Sequence, residues 1–198
     1  NDFRRVEPRI GWSPRPNIDW LRTVRFSAQF RHQEELATGI TEEREWDFGL
    51  LGLDFESGDG FDLNAKRTFE YLDRPFFVSE GIQITPGDYT SWEYRVIART
   101  AGRRRISMYG GFTVADFWNG ERLQFGGRLT FRPNPGISIG TNIQRNQVTL
   151  PQGQFDADLY EVEAQWNPTP WVSATTQLQY DDVSDIAGPF ARVRWIVK

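Results

Sequence analysis

The stretch Tyr160-Glu161-Val162-Glu163-Ala164-Gln165-Trp166-Asn167-Pro168-Thr169-Pro170-Trp171-Val172-Ser173-Ala174-Thr175-Thr176-Gln177-Leu178-Gln179-Tyr180 carries the fold in miniature. Before its centre, Tyr160, Val162, Ala164 and Trp166 take every second position; after it, Val172, Ala174, Thr176, Leu178 and Tyr180 do the same. A period of two is the mark of a strand with one apolar face. Proline fixes φ and donates no hydrogen bond, so Pro168 and Pro170 must end one strand before the next begins. The same phrase, aromatic-x-Pro-x-Pro-x-aliphatic, occurs at Trp12-Ser13-Pro14-Arg15-Pro16-Asn17-Ile18 and at Phe131-Arg132-Pro133-Asn134-Pro135-Gly136-Ile137. The repeated unit is strand, tight turn, strand, with an aromatic residue where the strand stops.

The alternation continues through the chain. Val24, Phe26, Ala28 and Phe30 interleave with Arg25, Ser27, Gln29 and Arg31; Phe61, Leu63 and Ala65 with Asp62, Asn64 and Lys66; Trp92, Tyr94, Val96 and Ala98 with Glu93, Arg95, Ile97 and Arg99. Ile106, Met108, Gly110, Phe112 and Val114 follow, then Leu123 to Phe131 and Ile137 to Ile143 in the same rhythm. The phase slips at Leu50-Leu51, which predicts a bulge or a register change. No segment has a helical period, and Gly and Pro recur too often for long helices. Tight connections are expected near residues 13–17, 57–60, 101–104, 132–136 and 167–170. Longer ones are expected near 36–43, 73–88, 116–121, 149–158 and 181–189, so that short and long alternate.

Composition narrows the function. Among 198 residues there is no Cys, one His and one Met, which leaves little for a thiolate or histidine metal centre or for a Ser-His-Asp triad. A net charge of −4 gives no basic field for nucleic acid, and no nucleic-acid-binding signature is present. The run Arg103-Arg104-Arg105 reads as a solvated turn edge or an interfacial anchor rather than a phosphate site. Aromatics make up 15% of the chain, with eight Trp and fifteen Phe, yet no apolar run approaches the roughly 20 residues of a transmembrane helix. No charged start followed by an apolar core opens the chain, so it reads as a mature protein or a fragment.

The fold class these features predict is all-β: an antiparallel up-and-down transmembrane β-barrel of the outer-membrane type, whole or partial, with short turns at one rim and long loops at the other. Trp12, Trp20, Phe131, Trp166 and Trp171 would form one interfacial girdle, with Trp92 in the opposite one beside Trp46, Tyr71, Phe117, Trp118 and Tyr180. Arg25, Arg31, Glu93, Arg95, Arg99 and Arg128 would face the lumen, with Glu45, Asp47, Glu161 and Glu163. The competing architecture is a soluble β-sandwich or jelly roll with the aromatics as core. A strand over residues 4–12 and about ten more make an odd number, whereas single-chain bacterial barrels close on an even one. The expectation is a portion of a larger barrel, or a barrel lacking one terminal strand.

Ser13-Pro14-Arg15-Pro16-Asn17-Ile18-Asp19-Trp20-Leu21, Ile84-Thr85-Pro86-Gly87-Asp88-Tyr89, Phe131-Arg132-Pro133-Asn134-Pro135, Arg145-Asn146-Gln147-Val148-Thr149-Leu150-Pro151-Gln152-Gly153-Gln154-Phe155 and Val193-Arg194-Trp195 together resemble the C-terminal half of an uncharacterised Gram-negative outer-membrane barrel domain. In that family the barrel follows an N-terminal module similar to family-nine carbohydrate-binding domains. The resemblance covers most of the chain and implies an outer-membrane location, one further strand after Trp195, and a sugar ligand for full-length relatives only. It supplies no catalytic residue.

Candidate chemistry is sparse. Asp181-Asp182 with Asp185, and Asp156 with Asp158, could pair as acid and base. Ser57-Gly58-Asp59-Gly60 has the opening of a calcium loop without its remaining ligands and reads better as a hairpin turn. His32 beside Glu34 and Glu35 could serve a rim hydrolase, and Phe76, Phe77 and Trp118 could stack on sugar rings. No catalytic set, metal or cofactor is expected. The functional expectation is an outer-membrane pore, transporter or surface anchor whose partners are the lipid bilayer and other outer-membrane or periplasmic proteins. Anchoring of a glycan-binding or glycan-processing domain, and a hydrolase using His32, are the alternatives.

Overall fold

A computed structural model describes residues 2–79 and 81–196. Its strands are β1 (Phe3–Val6), β2 (Arg9–Trp12), β3 (Leu21–Glu35), β4 (Thr41–Phe55), β5 (Gly60–Leu72), β6 (Phe76–Ser79), β7 (Ile82–Ile84), β8 (Gly87–Arg99), β9 (Ile106–Phe117), β10 (Gly120–Phe131), β11 (Ile137–Leu150), β12 (Gly153–Thr169), β13 (Val172–Asp181) and β14 (Ile186–Trp195). No helix occurs among the described residues. Every pairing is antiparallel, and twelve strands form one meander in the order β1-β3-β4-β5-β8-β9-β10-β11-β12-β13-β14, with β2 also on β3. The hairpin β6–β7 stands apart as a second, small sheet.

β1 and β2 are one strand in one register. Phe3 faces Glu35 and Val6 faces His32, and after Glu7 and Pro8 the count resumes unshifted with Arg9 on Gln29 and Trp12 on Phe26. Pro8 has no N–H to give the ladder, but its carbonyl still accepts from Phe30 at 3.0 Å. The bulge falls at Leu50: the β4–β5 register shifts between Gly49 and Leu51, and β3–β4 shifts between Arg25 and Ser27. The large sheet is not closed into a barrel. Its two edges, β1 with β2 and β14, have no partner strand among the described residues. Pro189 lies in β14, an edge position where its missing donor costs least. The alternation of the C-terminal stretch, residues 190–198, reads as a strand in the sequence; that strand is described to Trp195, and Val197 and Lys198 lie outside the described residues.

The three Pro-x-Pro segments share one end of the sheet, since each joins strands in the same sense of the meander. Backbone bonds tie the second segment to its neighbours at this end: Arg132 N–H donates to Arg105 C=O of the β8–β9 turn at 2.7 Å, and Asn167 N–H of the third segment donates to Gly136 C=O at 2.7 Å. Gly136, at φ +83°, is required there, because a Cβ would sit 2.5 Å from the Asn167 carbonyl oxygen. The expected alternation of short and long loops is absent. At the opposite end, β9–β10 turns on Trp118 and Asn119 alone, and β11–β12 on Pro151 and Gln152; only residues 73–86 form a long connection. Strands are also longer than the roughly 9 to 11 residues of a tilted membrane crossing, reaching 15 in β3 and β4 and 17 in β12. The cause is common to both corrections: the ladder continues through polar residues that a hydropathy alternation reads as loop.

The sheet's two faces are inverted relative to a soluble fold. The apolar face is open, with Met108 57%, Val162 49% and Phe112 45% exposed and no second sheet over it. This removes the sandwich and jelly-roll arrangement for the described residues. The small buried core lies instead on the polar side at the end away from the prolines. There Ile82 and Ile84 of the hairpin pack with Val148 and Leu150, against Leu72, Phe76, Tyr89, Phe117, Trp118 and Phe155. Val148 faces Arg122 and Phe155 across the ladder, and Arg122 joins Glu93, which fixes these residues to the polar face. The connection between β5 and β8 therefore folds over that face.

Candidate functional site

Pairing register assembles the polar face from residues far apart in sequence. Arg25, Gly52, Asp62 and Ile97 succeed one another across β3, β4, β5 and β8, with Asp54, Gly60 and Arg99 in the next row. Arg25 reaches Asp54 at 3.0 Å through Nε and Asp62 at 2.7 Å through Nη2; Arg99 reaches Asp54 at 2.8 Å and also bonds Asp62. The four side chains close a ring of alternating charge. Gly60 makes the space: a Cβ there would lie 2.5 Å from the Arg99 Cζ.

A second cluster is centred on Arg31, which pairs with Glu7 at 2.8 Å, Glu45 at 3.2 Å and Glu43 at 3.8 Å, while Lys66 approaches Glu45 at 3.6 Å. Glu93 joins Arg95 and, at 2.8 Å, Arg122; Arg128 lies 3.6 Å from Glu161. Beside them a cavity of about 260 Å³ is lined by Arg95, Ile97, Tyr109, Gly111, Thr113, Gln124 and Gly126, where glycines replace side chains. The acids are largely withdrawn from solvent, Glu93 at 12% and Glu45 at 14% exposure. Paired, partly desolvated charge is what a hydrated concave surface can hold; unpaired charge there would be costly.

All six residues expected to face a lumen, Arg25, Arg31, Glu93, Arg95, Arg99 and Arg128, are on this polar face. Asp54, Asp62, Arg122 and Glu7 complete the networks and were not singled out by sequence, because only the register brings them together. Comparison with family models, curated proteins and solved structures finds no match. The site rests on its geometry.

The opposite face holds the exposed rings. Trp12 is 66% exposed and stacks on Phe26, Trp20 is 61% exposed and stacks on Phe55, and Phe131, Trp166 and Trp171 are exposed nearby at the proline end. Trp92 and Trp46 are exposed toward the other end. Phe117 and Trp118 do not join them. Trp118, in the left-handed region at φ 55°, turns edge-on to Phe76 at 5.2 Å and Tyr89 at 4.9 Å inside the hairpin core, so neither Phe76 nor Trp118 is free for a sugar ring.

The catalytic candidates hold structural posts. Asp181 accepts from the Val183 and Ser184 N–H groups, Asp182 from the Asp158 N–H at 2.6 Å, and Asp185 from the Tyr180 hydroxyl. Asp156 pairs with Arg145 at 3.0 Å. His32 contacts Glu34 at 3.3 Å and stacks on Phe30, and no hydroxyl nucleophile bonds to it among the described residues. Ser57 to Gly60 is a hairpin turn: Asp59 accepts from Ser57 at 2.8 Å, the Ala101 N–H at 2.8 Å and Arg104 at 2.8 Å, which ties it to the next turn. Those donors hold the Asp59 carboxyl below its ordinary pKa, with the Ser57 bond the largest cause.

Proposed function

We propose that this chain forms part of an outer-membrane β-barrel, with its apolar face toward lipid and its ion-paired face toward a hydrated lumen, serving as a pore, transporter or surface anchor. The observation that carries the reading is the inversion of exposure: apolar side chains uncovered on one face, and the carboxylates of the ion-paired clusters, Asp54, Asp62, Glu45 and Glu93, withdrawn on the other. Water disfavours such a face, whereas hydrocarbon accepts it. In lipid both free edges need partners for their N–H and C=O groups, so closure requires further strand pairing, from the same chain or another. The resemblance to an uncharacterised outer-membrane domain points to a Gram-negative host.

Strand extension supports an orientation that loop length does not. At the proline end apolar residues run up to the turns, as with Phe55, Ile106, Phe131 and Ile137. At the other end the same face continues as Arg44, Arg67, Asp116, Glu121, Arg145 and Asp156, still in strand. A ladder that outruns its apolar band would project from the outer leaflet, leaving the proline turns periplasmic.

The hairpin over the polar face favours a second form of this reading, an occluded barrel that anchors more than it conducts. Planar-bilayer recording on the full-length protein separates the two. A pore gives discrete steps whose ion selectivity shifts toward cations when Arg95 and Arg128 are changed to Glu; a silent bilayer rejects the pore and leaves the anchor.

A further inference from the structure

We propose that Arg44 and Arg67 form a docking site for the phosphate of an anionic lipid headgroup on the outward face of the sheet. The proposal rests on the membrane reading above. Arg44 on β4 lies between His32 and Phe69, and Arg67 on β5 between Trp46 and Trp92. The two thus stand on adjacent strands, one same-face position apart, immediately beyond Phe48, Ala65 and Tyr94 of the apolar band. Each guanidinium lies over a ring: Arg44 Cζ is 5.9 Å from the Phe69 centroid and Arg67 Cζ is 5.9 Å from that of Trp92.

Acid partners are missing here. Arg25, Arg31 and Arg99 on the polar face are each held by two or more carboxylates, whereas Arg44 and Arg67, both exposed, have no ion pair among the described residues. Their ladder neighbours on this face are aromatic or imidazole. Glu34, farther along β3, already binds Arg4 at 2.7 Å and His32 at 3.3 Å. A guanidinium lying over a ring keeps its N–H edges free, and that fork matches phosphate oxygens. Two such forks beside an apolar band call for an amphiphile, with acyl chains along the band and phosphate between the arginines. A net-anionic headgroup fits better than a zwitterionic one: the two guanidinium groups carry no ion pair, while the acids nearby on this face are already engaged, Glu34 by Arg4 and His32 and Asp116 by the Trp92 N–H at 2.8 Å.

The full-length protein reconstituted in phosphatidylcholine vesicles with a minor share of phosphatidic acid tests this. Bromine is placed on the chains of one lipid or the other, and tryptophan quenching is read, because Trp46 and Trp92 flank the pair. Brominated phosphatidic acid is expected to quench beyond its mole fraction, with the preference dropping about five-fold for each of R44Q and R67Q and vanishing in the double variant. Because both side chains are exposed and free of acid partners, the variants should keep the fold, checked by circular dichroism. A preference unchanged in the folded double variant overturns the site. Its abolition by inorganic phosphate at equal concentration overturns the lipid assignment in favour of a soluble anion. If brominated phosphatidylcholine quenches no tryptophan, the membrane reading fails independently.

Discussion

Asp62 shows how much one residue of the polar face organises. It is opposite Ile97 on β8, yet its carboxylate serves Arg25 on β3 and Arg99 on β8, and Gly60 leaves room for the second guanidinium. D62N would keep the shape and remove the charge, leaving two arginines to share Asp54. Both arginines are partly exposed, so the cost is well below that of a fully buried pair, about 1 to 2 kcal/mol in a urea unfolding titration in detergent or lipid. Asp59 gives a pH test outside the strands. Its carboxyl is held below the ordinary value by Ser57, the Ala101 N–H and Arg104. A lowered folded pKa means that the contribution is complete above the unfolded value and is lost as pH falls through the folded one. The protection of the Ala101 amide, its exchange rate relative to the intrinsic rate at each pH, should therefore fall only in acid for the native chain, while D59N should be less protected already at neutral pH and lack the acid step; parallel profiles would refute the assignment.

At the scale of strands and turns, hydropathy was informative wherever one face met something apolar. Val24 to Phe30, Trp92 to Ala98 and Tyr160 to Trp166 alternate because one side is greasy, and the Pro-x-Pro phrases mark ends because no ladder accommodates them. Residues 41–45 are polar on both faces and carry no period although they are paired, and in residues 145–158 the apolar positions Val148, Leu150 and Phe155 move to the polar face beneath the hairpin, which breaks the phase of the alternation. Two long loops thereby became two-residue turns. The Arg25, Asp54, Asp62 and Arg99 ring was hidden for a different reason: it depends on which residues face one another across four strands, a matter of register and of the Leu50 bulge. The hairpin was hidden by brevity, since Ile82-Gln83-Ile84 is too short to show a pattern. Its attachment is nonetheless testable. Ile84 is fully buried against Ile82, Val148 and Leu150, and I84D would place a charge in that core. The hairpin should detach while the ladder persists, giving protease cleavage within residues 73–86 with unchanged circular dichroism and, in a conducting barrel, a larger unitary current. Continued protection of that segment would show that the apolar contacts do not hold it.

For the whole molecule, the decisive asymmetry is that the apolar band reaches the turns at one end and stops short of them at the other. A band that coincides with the hydrocarbon layer fixes the sheet's depth, because displacing it would push Phe55 and Phe131 into water at one side or Arg67 and Asp156 into lipid at the other, where a charge near the midplane costs roughly 2 to 4 kcal/mol. The turn at Asn119 and the turn at Gln152 would then stand outside the cell, and the turn at Asn134 would face the periplasm. The chain contains no cysteine, so single substitutions give a clean report. In a Gram-negative host expressing the full-length protein, N119C and Q152C should react with a membrane-impermeant maleimide on intact cells. N134C should react only after the outer membrane is permeabilised, with all three labelled equally in denaturant. Labelling of N134C on intact cells with protection of the other two would invert the orientation and with it the leaflet to which Arg44 and Arg67 belong. Equal labelling of all three on intact cells would mean that no bilayer separates the two ends, and the exposed apolar face would then need a protein partner to cover it.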